Sequence, residues 1–128
     1  MNRFLLRRGI GPAPQHLLSI PGRRTGVTRT TPVAIVVIDG ARYAVAGFAG
    51  SDWVRNARVA GRGELRRGRR VEPIRLIEVA IGDRGPILRM FAARVPGGRA
   101  FLTTGHGAAD FDAAAANHPV FRLESIVD

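Results

Sequence analysis

A chain of 128 residues can bury one hydrophobic core and has little room for a second, so a single domain over residues 1–128 is expected. It holds no cysteine, which excludes disulfides, thiolate nucleophiles and cysteine-ligated metals and is compatible with a reducing, cytoplasmic setting. The formal charge of +10 points to an anionic partner only loosely, because all twenty cations are arginines in an alanine- and glycine-rich chain, a pattern that a GC-rich coding sequence produces equally well.

The opening MNRFLLRRGIG has one apolar run, Phe4 to Leu6, too short for a signal-peptide core or a membrane span. Residues 1–14 read as an N-terminal extension with a short helix over Asn2–Arg8, and their amphipathic start leaves peripheral membrane contact open. HLLSI then reads as a strand stopped by Pro21 and Gly22. A β-branched run, Arg29 to Asp39, meets the turn pair Asp39-Gly40 and returns as ARYAVAG, which together predict a tight hairpin. Pro32 cannot donate to a ladder, so it should lie on an edge or at a strand start.

After the small-residue loop Gly47 to Gly50, Ser51 or Asp52 is placed to cap a short helix whose apolar positions Trp53, Ala57 and Ala60 fall at i, i+4 and i+7 and which ends at Gly61. A second hairpin turns at Gly68 between two basic arms, with Ile74 and Leu76 alternating against Arg75 and Ile77. Asp83 should cap a helix with Pro86 in its first turn and a stripe of Ile87, Leu88, Phe91 and Val95, closed by Pro96-Gly97-Gly98. AADFDAAAAN reads as one more short helix before a terminal strand, HPVFRLESIV. Strand pairs with tight turns and inserted helices predict an α+β, mainly β fold: a small antiparallel barrel of about six strands flanked by short helices.

The stretch GRRTG, Gly22 to Gly26, lacks the spacing and the lysine of a nucleotide-binding loop and no helix follows it. Two readings stand: a basic hairpin tip, or an anion cradle of backbone N–H groups with Arg23, Arg24 and Arg29, to which Thr25, Thr30 and Thr31 add hydroxyls. Trp53 either walls an aromatic ring or is core, and Asn56 either bonds a heteroaromatic edge or satisfies a loop carbonyl. His16, His106 and His118 have no metal-ligand spacing, no side-chain catalytic constellation stands out, and the carboxylates read as solvated groups or arginine partners. Any chemistry would come from a bound cofactor. The RRGRR run, Arg66 to Arg70, reads as a charged hairpin tip, with nucleic-acid contact as the rival; eight aromatic residues are few for base stacking.

GRRTGVTRTTP, a DG hairpin, a small-residue loop and DWVRNARVAG together resemble the deazaflavin-dependent nitroreductase family over about Leu17 to Val79, and the tail HPVFRLE is similar as well. The resemblance implies a split β-barrel that binds coenzyme F420 and passes a hydride from the reduced deazaflavin to an electron-poor small molecule, a quinone, an enone or a nitro compound. It places Arg23, Arg24, Thr25, Gly26 and Arg29 at the cofactor's phosphate and acidic tail and Thr31 and Pro32 beside the ring. Ala46, Gly47 and Phe48 match the loop whose backbone faces the ring, and Trp53 and Asn56 match the helix that closes the pocket. Phe48 stands where many relatives carry lysine, so that contact is either missing or supplied by Arg55 or Arg58, and Tyr43 is the only tyrosine, so the late tyrosines of some relatives are missing. FMN is the alternative cofactor. A non-catalytic barrel holding a lipid or nucleic acid is the alternative function, and pairing into a homodimer is expected.

Overall fold

The computed structural model describes residues 15–102 and 108–126, so the expected extension over 1–14 and His106 lie outside the described residues. Six strands close a barrel in the order β1-β2-β3-β6-β5-β4: β1 His16–Pro21, β2 Thr28–Ile38, β3 Ala41–Val45, β4 Arg62–Arg67, β5 Arg70–Glu78 and β6 Val120–Ser125. Every pairing is antiparallel, and closure leaves no strand at an outer edge. The β2–β3 turn forms at Asp39 and Gly40 with φ of 50° and 83°, the left-handed pair that a two-residue hairpin needs. Pro32 lies in the half of β2 that pairs with β1 alone, because pairing to β3 begins only at Ala34, so its missing donor is tolerated.

Alternation along the strands builds two cores. Leu18, Ile20, Ala44, Leu65, Ile74, Leu76, Phe121 and Leu123 fill the barrel, together with Val54 and Ala57 of helix α1, Asp52–Ala60. The opposite faces of β2, β3 and β6 present Val36, Val45 and Val120 outward, where they are buried by α2 (Ile81–Arg94), α3 (Gly98–Phe101) and α4 (Ala108–Ala114) through Leu88, Phe91, Leu102, Phe111 and Ala114. A barrel of this size would expose those valines without the helical layer.

Three local expectations are corrected. Helix α1 buries Val54, Asn56 and Ala57, while Trp53 and Ala60 are half-buried, because a polar side chain, Asn56, takes a place on the inner face. Ser51 precedes that helix but does not cap it; its hydroxyl donates to the Phe48 carbonyl at 2.8 Å instead. Helix α2 starts at Ile81, before Asp83, so Pro86 is interior rather than in the first turn. Pro86 cannot donate to the Gly82 carbonyl, and the exposure of Gly82 lowers that cost. The start is held by Arg84, buried, which donates to the carbonyls of Val79 and Ala115 and to Glu78 Oε2, each at 2.9 Å.

Candidate cofactor cleft

The β1–β2 loop and the first turn of α1 face each other across a cleft of about 580 Å³, within the range of small-molecule sites. Arg23, Arg24, Thr25, Arg29, Thr31, Phe48, Trp53 and Asn56, eight of the twelve expected site residues, line it. Ile20, Gly22 and Thr30 complete the loop side, with Ser51 and Asp52 on the helix side.

The loop conformation is braced from within. The Gly22 amide donates to the Val27 carbonyl at 2.8 Å, that of Gly26 to the Gly22 carbonyl at 2.9 Å, and that of Val27 to Thr25 Oγ1 at 3.2 Å. Gly26 sits at φ 79°, a conformation that a side chain would strain, and it shapes the turn without lining the cleft. The Arg23 amide bonds Asn56 Oδ1, so a backbone cradle of many free N–H groups does not form. The cations left unengaged in the cleft are those of Arg24 and Arg29, which are exposed and whose side chains make no hydrogen bond or ion pair among the described residues.

Asn56 is 5 % exposed, and its Oδ1 accepts from both the amide and Nη1 of Arg23, at 3.0 and 2.9 Å. Its Nδ2 donors have no partner among the described residues, which is costly in a buried amide unless a ligand or water accepts them. Trp53 is half-buried, with its ring centroid 5.4 Å from that of Phe121 in the barrel, so the indole is held from below while it walls the cleft. Phe48 is 63 % exposed, an uncommon state for a large apolar ring in a folded chain.

Pro32, Ala46 and Gly47 do not line the cleft. Ala46 is fully buried, and both its backbone groups are engaged: its amide donates to the Pro119 carbonyl at 2.9 Å, and His118 Nδ1 donates to its carbonyl at 3.0 Å. Gly47 lies under the Phe101 ring, 3.4 Å from where a Cβ would sit. His118, a surface-like residue by composition, thus fixes the loop leading to Phe48. Nothing in its spacing signals that role. Of the two arginines considered as substitutes for the lysine, Arg58 is engaged by Glu78 through bonds of 2.9 and 2.7 Å, and Arg55 is exposed near Gly50. Among the described residues no cluster of histidine and carboxylate groups could hold a metal.

A sequence-family model described as F420H(2)-dependent quinone reductase matches residues 7–100, nearly three quarters of the chain. The chain belongs to that family. The family's name carries the same cofactor, in its reduced form, that the GRRTG and DWVRN motifs point to. No significant match exists among curated protein sequences. Similar solved structures include protein Atu2129 of Agrobacterium tumefaciens, of unknown function, at 15 % identity and TM-score 0.64, covering 88 % of this chain and 48 % of that one. This chain therefore spans about half the length of the Agrobacterium protein. A structure described as a domain-swapped dimer shows 20 % identity and TM-score 0.63, covering 96 % and 93 % of the two chains. An F420 reductase shows 11 % identity and TM-score 0.53, covering 91 % and 88 %. At these identities the structures establish a shared fold. No described helix is long and apolar enough to cross a membrane.

Proposed function

We propose that the protein binds reduced F420 in the cleft between the β1–β2 loop and α1 and reduces a small electron-poor acceptor, a quinone in the first place. The observation that supports this best is the meeting, in one cleft, of exposed arginines on one side and Trp53, Phe48 and the Asn56 Nδ2, which has no partner among the described residues, on the other. A phosphodiester with an acidic tail needs cations, and an uncharged tricycle needs an apolar wall with a few polar anchors; both chemistries are present.

When bound, the reduced deazaflavin supplies the hydride. The chain's part is to bind, orient and exclude water. Arg24 and Arg29 form the cationic side with Arg23 braced beside them, Trp53 supplies a fixed aromatic wall, and Asn56 Nδ2 supplies a hydrogen-bond donor for a carbonyl of the bound ring. Thr25 and Thr31 add hydroxyls on the β1–β2 side. Pairing of two barrels into a homodimer is part of the proposal, and exposed Val27, Val37 and Val59 are available for it. Titration with F420 and, in parallel, FMN tests the cofactor: preference for F420 supports the reading, and binding of FMN alone replaces the cofactor with a flavin.

A further inference from the structure

Three arginines line the cleft, yet their surroundings differ. Arg23 is tied on three sides: its amide and its Nη1 both donate to Asn56 Oδ1, and its Nη2 lies 3.6 Å from Asp52 Oδ1. Its side chain is only 21 % exposed. Arg24 and Arg29 are exposed and have no such ties among the described residues.

We infer that Arg23 and Asn56 act as a positioning strut, and that the cations that meet the ligand's anionic group are Arg24 and Arg29. This rests on the functional reading above. One oxygen that accepts from the backbone and the guanidinium of the same residue fixes both the main chain of Arg23 and the path of its side chain. The acceptor belongs to α1, whose Val54 and Ala57 are packed into the barrel, so the strut is anchored in a rigid element and not in the loop itself. Arg24 follows directly on the anchored residue, so the backbone from which its side chain leaves is fixed before any ligand arrives. Such preorganisation removes part of the ordering cost of binding.

Charge favours the same division of roles. Asp52 lies across from Arg23 and offsets its charge, so an incoming anion at Arg23 would compete with a carboxylate already there. At Arg24 and Arg29 it would not. A ligand phosphate would gain charge-assisted bonds from those two without breaking any bond inside the protein.

The test uses the full chain and two ligands, F420 and its phosphate-free deazaflavin chromophore, each titrated over a range of salt. Arg24→Ala and Arg29→Ala are expected to weaken F420 about tenfold each, to leave the chromophore's affinity unchanged, and to flatten the salt dependence of F420 binding. Arg23→Ala is expected to weaken both ligands by a similar factor while keeping the wild-type salt dependence. Asn56→Ala should lower F420 binding, and the Arg23→Ala/Asn56→Ala double variant should fall short of the product of the two single effects, since the residues act as a unit. Selective loss of F420 with a flattened salt dependence in Arg23→Ala would overturn the inference, as would additive effects in the double variant. Wild-type protein that binds neither ligand overturns the functional reading, and the inference with it, whereas wild-type binding with the wrong variant pattern overturns the inference alone.

Discussion

Glu72 closes a three-way contact with Arg42 and Ser125 on the barrel surface. The carboxylate accepts two bonds from Arg42, at 2.8 and 2.9 Å, and a third from the Ser125 hydroxyl, and its pKa is lowered from 4.5 to about 2, first by the Arg42 hydrogen bond and then by that of Ser125. The unfolded chain therefore takes up the proton first. The stabilisation is complete above pH 4.5 and is lost as pH falls toward 2. About a third of the Glu72 side chain is exposed, so solvent screening limits the pair to about 0.5–1 kcal/mol. Glu72→Gln is expected to lose that amount at pH 7 and to flatten the stability-versus-pH curve between pH 4.5 and 2, read by denaturant melts. His118 belongs to the same scale. A His118→Leu change leaves the buried Ala46 carbonyl without this donor, with an expected cost of about 1–3 kcal/mol in denaturant melts. That Glu72 pairs with an arginine was one of two readings of the sequence, but not that the partner is Arg42, thirty positions away, and a histidine beside a proline carries no sign of burial.

At the scale of elements, the helical layer depends on Arg84. Burial pulls its pKa below the ordinary guanidinium value while Glu78 opposes that shift, and three acceptors from the end of β5 and the end of α4 converge on it. Arg84→Ala would leave the Val79 and Ala115 carbonyls without this donor at the base of α2, while Glu78 keeps Arg58, at a cost of about 3 kcal/mol, which a thermal melt would register as a drop of roughly 10 °C. The β1–β2 loop is the other sensitive element. Gly26→Ala forces a side chain into φ 79° and is expected to cost about 1 kcal/mol, with weaker F420 binding as the loop shifts, while the chain still folds. Strand pairs, the Asp39-Gly40 turn and the Gly68 turn were all legible, since alternation and turn chemistry are local. The start of α2 was not, because its anchor is a tertiary contact from Arg84 and no local capping residue marks it.

For the whole molecule, the barrel order follows from closure, and the antiparallel, mainly β class was readable from hairpins alone. The second core was not: Val36, Val45 and Val120 alternate as outward residues, and only the packing of α2 and α4 buries them. The cleft was legible in part because ten of its lining residues come from GRRTGVTRTTP and DWVRNARVAG, whereas the commitment of Arg23 to Asn56 joins positions 33 apart. A homodimer is expected in solution, and light scattering that returns the mass of one 13.8 kDa chain would remove that part of the proposal. Hydride transfer from F420 to a quinone is read by mixing the purified protein with reduced F420 and a soluble quinone and following deazaflavin absorbance. Oxidation of F420 that requires both protein and quinone, and that falls about tenfold or more in Arg24→Ala/Arg29→Ala at limiting F420, is the predicted result. Binding of F420 without any quinone-dependent oxidation, or oxidation indifferent to those two arginines, would contradict it.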